Sequence, residues 1–362
     1  MLRRLLGFVL VICALDSQAQ TLRIYNFKDY IDPAVVKRFE QETGIDIDYQ
    51  TYTTVQELYA ALDAGADFDL VVPSHFQLQR LIGAGQLQVL DASKLTHYGN
   101  LDPKLVASLA GFSGAGRYVV PYLWTSVGLV MDRPNVERAI GQAVKPSWRL
   151  LFDPEYVERL KGCGIGWLDA PEETFSMRMN LHGKRLADAS PRRLAKVGQQ
   201  LLERSAALRA LNNESYIDQL AGGQLCVAMA WSGHALQASS RRASLEFVVP
   251  EEGGLLTIDS WAIPKGAKHP QLAYRFIDYM LEARNARLNT EATRFYAPLR
   301  DDLPEIVAMA QASPALLPKS SERRHLYFLE PLKAEQKQAI DQQWSVLKQR
   351  FQAQQQPSAT TE

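Results

Sequence analysis

Neither sign of charge is in excess in this sequence. Its 362 residues carry 40 Lys and Arg against 40 Asp and Glu, a formal balance of zero. A surface that grips nucleic acid needs a strong basic excess, so no nucleic-acid partner is expected. Beyond the N-terminal region no apolar stretch reaches the ~18 residues that read as a membrane span. The six histidines do not fall at ligand spacing, which argues against a zinc site. Gly-x-Ser-x-Gly, His-Glu-x-x-His, a phosphate loop and the dinucleotide glycine set are all missing. No repeat with a period of 20–50 residues is present. Neither a metal nor a cofactor is expected.

The first 19 residues read as an export segment. "MLRR" gives the positive start, "LLGFVLVICAL" the short apolar run, and Ser17-Gln18-Ala19 a small-x-small cleavage site. Val11 and Ile12 before Cys13 are not the small residues of a lipid-anchored start. Removing Arg3, Arg4 and Asp16 leaves 38 positive against 39 negative side chains, a net of −1. A mature chain of this length exceeds the ~250–300 residues at which single cores stop growing, so two domains are expected. Of the three cysteines only Cys163 and Cys226 remain after cleavage. In an oxidising compartment they suffice for one bridge; two buried free thiols are the alternative.

What is present is a first half that alternates strands and helices. "TLRIYNF" alternates like a strand, and Asp32 caps a helix with Pro33 in its first turn, Val35, Val36 and Phe39 on one stripe and Gly44 as the stop. "IDIDYQTY" is strict alternation; "VQELYAALDAG" is a helix ended by Gly65; "FDLVVPS" is a short apolar strand; "HFQLQRLIGAG" is helical again. Such β-α-β units build a largely parallel sheet with right-handed crossovers, whose ligands sit outside the strands' carboxyl ends. Asn26–Tyr30 and Ser74–Phe76 both fall at such ends. Further on, "PRRLAKVGQQLLERSAALRAL" and "PQLAYRFIDYMLEARNARLNTEA" read as helical, "LCVAMAW" as a strand, and the polar tail 353–362 as disordered. Two extended runs, residues 118–133 and 245–264, are long enough to pass from one lobe to another. A two-lobed binder with its ligand in the cleft fits this pattern, as does a two-domain enzyme. The adjacent carboxylates Glu172 and Glu173 are the enzyme's best candidates. On a helix they point about 100° apart, though, and a helix start favours carboxylates for its dipole alone.

Taken in order, "IYNFKDYIDP", "FDLVVPS", "VPYLWTSVGL", "CGIGWLDAPEETF", "LCVAMAWSGHALQAS", "VPEEGG" with Asp259, and "RFYAP" resemble the periplasmic polyamine-binding proteins of ABC importers, of the putrescine/spermidine type, over roughly residues 21–350. The resemblance implies an α/β type II periplasmic-binding-protein fold, two mixed α/β lobes joined by crossover strands. It also implies a role without catalysis: capture of an amine-bearing ligand for a membrane permease and its ATPase, by a monomer in the periplasm. The matching positions are Phe27, Asp29, Tyr30, Ser74, Glu172, Glu173, Trp231, Asp259 and Tyr296, and Cys163 and Cys226 match a pair that the family tends to bridge. Lobe one is expected over 21–125 and 250–290, lobe two over 126–249 and 291–352. The chemistry is coherent on its own terms. An ammonium is costly to bury unless paired, aromatic faces attract it by ~0.5–2 kcal/mol each, and the same rings cover methylenes worth roughly 0.8 kcal/mol apiece.

The sequence departs from the family at four positions. His234 stands where putrescine-binding relatives carry an aspartate, and Lys28 where they carry a small hydroxyl residue. Phe76 and Thr257 replace a polar and an aromatic lining residue. If Lys28 and His234 face the ligand, one negative charge is lost and a positive one gained. The site would then prefer an ω-amino acid, such as γ-aminobutyrate or 5-aminovalerate, or an acylated diamine over a free diamine. A titrating His234 would also make binding pH-dependent near 6.5. Alternatively, Lys28 extends its ammonium to solvent and His234 only packs.

Overall fold

Asp32 accepts a hydrogen bond from the Ala34 N–H, Pro33 occupies the first turn, and Gly44 closes the helix Pro33–Thr43 at φ 69°. The helix buries Val35 and Phe39, and the Phe39 ring meets Phe276 edge-on at 5.0 Å. The structure is a computed structural model that describes residues 20–112, 114–317 and 323–355. The export segment 1–19 and residues 356–362 therefore lie outside the described residues.

Among the described residues the strands are β1 (Gln20–Phe27), β2 (Ile45–Tyr52), β3 (Leu70–Val71), β4 (Val119–Asp132), β5 (Ile165–Trp167), β6 (Leu208–Leu211), β7 (Val227–Trp231), β8 (Leu245–Val248), β9 (Gly254–Ala262) and β10 (Leu326–Phe328). They follow the order β2-β1-β3-β9-β4-β7-β5-β6, with β10 beside β9 and β8 beside β4. β1 pairs in parallel with both β2 and β3, as the β-α-β reading requires. The first extended run becomes β4, whereas the second is broken by a turn at Glu251–Glu252 into β8 and β9; β4 and β9 pair antiparallel from Val119↔Ala262 to Val127↔Leu255. β4 then pairs onward with β7 and β8. These two strands carry the sheet from one lobe into the other.

The buried side chains divide accordingly. Leu22, Ile24, Trp261 and Phe276 form one face of the first lobe; Tyr52, Leu58, Val71 and Ile258 form the other. The second lobe packs Val127, Met131, Trp167, Phe175 and Met229. One lobe limit needs correction. Phe295, Leu299, Ile306, Met309 and Leu316 join the first-lobe core, so this part of 291–352 does not belong to lobe two. The C-terminal helix Ala334–Gln355 does, through Ile340, Trp344 and Leu347. Helical periodicity fixes which side of a helix is apolar but not the sheet it returns to. Two smaller readings also change. Leu208–Leu211 is a strand, its Leu208 and Ala210 buried around exposed Arg209, rather than the end of a helix. The C-terminal helix runs to Gln355, so 353–355 is ordered. A disulfide joins Cys163 to Cys226 with Cα atoms 5.6 Å apart, tying the entry of β5 to that of β7.

Candidate ligand-binding cleft

The carboxyl end of β1 turns sharply at Asp29, which adopts a left-handed φ of 56°. Asp tolerates this region better than most side chains. The turn leaves Lys28 and Asp29 exposed at the cleft mouth and sends Tyr30 inward. Tyr30 donates to Asp259 Oδ2 at 2.5 Å, and the Ser74 hydroxyl donates to Oδ1 of the same carboxylate. Ser74 is held there by a capping box with Gln77 and by a bridge to β9 at Asp259 itself. Two segments distant in sequence therefore meet β9 at one buried acid. From the second lobe, the helix Pro171–Asn180 presents Glu173, which accepts from the Trp231 indole N–H at 3.2 Å.

Electrostatics separate these two acids from their neighbours. Asp259 and Glu173 are both buried and bonded only to neutral donors in the hydrogen bonds above. Burial pushes Asp259 up to about 6, against the pull of the Ser74 and Tyr30 hydroxyls. Burial pushes Glu173 up to about 8, with Glu172 and Asp259 adding repulsion and the Trp231 N–H opposing it. Glu172, by contrast, is paired to Lys337, and Asp169 to Lys348, both lysines coming from the C-terminal helix. Adjacent in sequence, Glu172 and Glu173 thus serve different partners and do not flank one bond.

Every ligand-binding candidate from the sequence except Tyr296 lines a single cavity of about 430 Å³ between the lobes. Trp231, Phe27, Tyr30 and Phe76 supply apolar walls, Thr257 a hydroxyl whose oxygen has no hydrogen-bond partner among the described residues, and Glu172, Glu173 and Asp259 the buried acids. Tyr296 is a correction. It is buried against Trp124, ring centroids 4.6 Å apart, and its backbone pairs with that of Trp124. Its neighbour Phe295 turns inward instead, T-shaped to Tyr30 at 4.5 Å and to His234 at 5.3 Å. Gly233 permits this approach, since a Cβ there would stand 2.8 Å from the Phe295 ring.

The two charge-altering departures also resolve. Lys28 is exposed and pairs across the cleft with Glu214, while Asn213 Nδ2 donates to the Thr53 carbonyl at 3.3 Å. His234 is buried, 3.0 Å from the Tyr216 hydroxyl, and edge-on to Trp231 at 5.5 Å. Burial lowers its pKa to about 4, so it stays neutral near pH 6.5 and acts as an aromatic wall. Arg241, the remaining cation of the lining, is engaged by Asp218. Sequence reasoning missed Phe295, Thr125, Asn213 and Glu214. For Phe295 the signal was one residue away in "RFYAP". For Glu214 there was none, because its partner lies 186 residues earlier. No group of three or more His, Cys, Asp or Glu among the described residues is arranged to hold a metal.

Known proteins share this architecture. The chain is 34% identical over 327 residues to the putrescine-binding periplasmic protein PotF of Escherichia coli, covering 87% of this chain and 88% of that one. It is 30% identical over 337 residues to the putrescine-binding periplasmic protein SpuD of Pseudomonas aeruginosa, covering 91% and 92%. The crystal structure of the spermidine/putrescine ABC transporter substrate-binding protein PotD from Streptococcus pneumoniae superposes with a TM-score of 0.71 at 25% identity, covering 92% of this chain and 99% of that one. Residues 34–318 match the bacterial extracellular solute-binding protein family. With the two-lobed fold, the cleft at the strand ends and these relatives together, the chain belongs to that family of binding proteins and is not an enzyme.

Proposed function

We propose that this protein captures a linear diamine of the putrescine type in the periplasm, as a monomer, and delivers it to an ABC permease driven by an ATPase. One observation carries the reading: two buried carboxylates, Asp259 and Glu173, share an aromatic-walled cavity and have no cationic partner among the described residues. Ionised buried acids are stable only when paired. An ammonium at each end of a short methylene chain completes both. The walls from Trp231, Tyr30, Phe27 and Phe295 cover the carbons, roughly 0.8 kcal/mol per methylene, and attract the charges. The relatives' named ligands point the same way.

An ω-amino acid fits less well. Its carboxylate needs a free cation, yet Lys28 and Arg241 are engaged by Glu214 and Asp218, and His234 is neutral. Capture favours the closed arrangement because both lobes contribute to the cavity, a population shift that presents the closed form to the permease. Calorimetric titration against putrescine, spermidine, γ-aminobutyrate and 5-aminovalerate tests the reading. Low-micromolar or tighter binding of putrescine is expected. Binding of an amino acid with no response to either polyamine overturns it.

A further inference from the structure

A second cavity of about 750 Å³ adjoins the first, and Phe76 and Glu172 line both. Into the second projects Lys337 from the C-terminal helix. Its ammonium pairs with Glu172, whose side chain is only 8% exposed, and stands 5.7 Å from the centroid of the Tyr59 ring. A carboxylate on one side and an aromatic face on the other form the environment that an amine ligand requires. Tyr59 belongs to the first lobe and Glu172 and Lys337 to the second, so this arrangement also spans the cleft.

The chemistry of the lysine makes the comparison close. Its side chain is an aminobutyl group: four methylenes ending in a primary ammonium, the same unit that forms one arm of spermidine. We infer that Lys337 occupies in cis an ammonium subsite at Glu172 and Tyr59, and thereby restricts the cleft to ligands with two ammonium groups. This inference deepens the diamine reading and rests on it. A tethered ammonium competes at the high effective concentration of an intramolecular group, millimolar or above for short tethers. A third ammonium of a free ligand must displace it to reach Glu172. With Lys337 in place, Asp259 and Glu173 are the buried acids left for the ligand, with exposed Asp29 at the mouth.

The test is the ratio of spermidine to putrescine dissociation constants, measured by calorimetry on the full mature chain. Lys337→Gln is expected to shift that ratio at least tenfold toward spermidine, because Glu172 then accepts the ligand's third ammonium. Lys337→Arg retains the positive charge and is expected to keep the wild-type ratio. Adding Glu172→Gln to Lys337→Gln is expected to abolish the gain, and it leaves no unpaired buried acid should the single variant fold poorly. A wild type that binds putrescine, with the same ratio in Lys337→Gln, overturns this inference alone. So does a gain that survives the loss of Glu172. A wild type that binds neither polyamine overturns the diamine reading, and this inference with it.

Discussion

The cavity between the lobes is lined by two kinds of acid. Glu172 and Asp169 are each met by a lysine of the C-terminal helix, Lys337 and Lys348. Asp259 and Glu173 receive hydrogen bonds from Ser74, Tyr30 and Trp231. The first kind is complete within the protein; the second has no cationic partner among the described residues. In sequence both kinds look alike, and Glu172 and Glu173 are even neighbours. What distinguishes them is a helix that arrives some 165 residues later. Acidity marks where a cation is possible, and the tertiary partner decides whether one is already there.

The largest effect expected from that contrast follows removal of an unpaired acid. Asp259→Asn should weaken putrescine binding by about 30-fold to several thousand-fold, the range for truncating one member of a buried charge pair. Lys348→Gln, which strips the cap from Asp169, should lower the melting temperature while changing putrescine affinity less than about threefold. Calorimetry and thermal unfolding of both variants decide the matter, and equal affinity losses would erase the distinction between the two kinds of acid. Trp231→Ala should cost at least tenfold in affinity, since it removes an aromatic wall and the N–H that Glu173 accepts. An unchanged dissociation constant would take Trp231 out of the site.

A smaller effect is expected from pH. In the empty folded protein Asp259 and Glu173 hold their protons more tightly than ordinary carboxyls. Their contribution to stability therefore falls as pH rises from the ordinary carboxyl range through about 6 for Asp259 and about 8 for Glu173. A bound diamine favours the ionised forms, so its affinity should climb over the same window and protons should be released on binding. Titration in two buffers of different ionisation enthalpy, between pH 5.5 and 8.5, reads both. A flat profile with no buffer dependence would contradict the shifts. His234, held near 4, adds nothing in that range. The smallest effect belongs to the mouth. Lys28 and Glu214 are 47% and 40% exposed, and water and salt screen such pairs strongly. Lys28→Ser should weaken putrescine binding no more than about fivefold, and less at high salt. A larger loss would mean that the clasp governs closure.

Much of this was legible in the chain. Asp32-Pro33 and Gly44 mark their helix because capping and left-handed turns are local matters. The alternation in "IDIDYQTY" and the length of 118–133 give β2 and the crossing strand β4. Resemblance brought Trp231, Asp259 and Glu173 to one cavity. It chose the wrong ring in "RFYAP", because the backbone pairing of Tyr296 with Trp124 decides which of two adjacent side chains turns inward.

By itself the sequence determined the periodicities, the caps, the lack of net charge and the set of aromatic and acidic residues at the strand ends, since these depend on near neighbours and composition. Only the tertiary structure decided that Lys28 reaches Glu214, that His234 is neutral, and that Lys337 caps Glu172 while Glu173 stays open. Charge and burial are set by groups far apart in the chain, and their pairing exists only once the lobes have formed around the cleft.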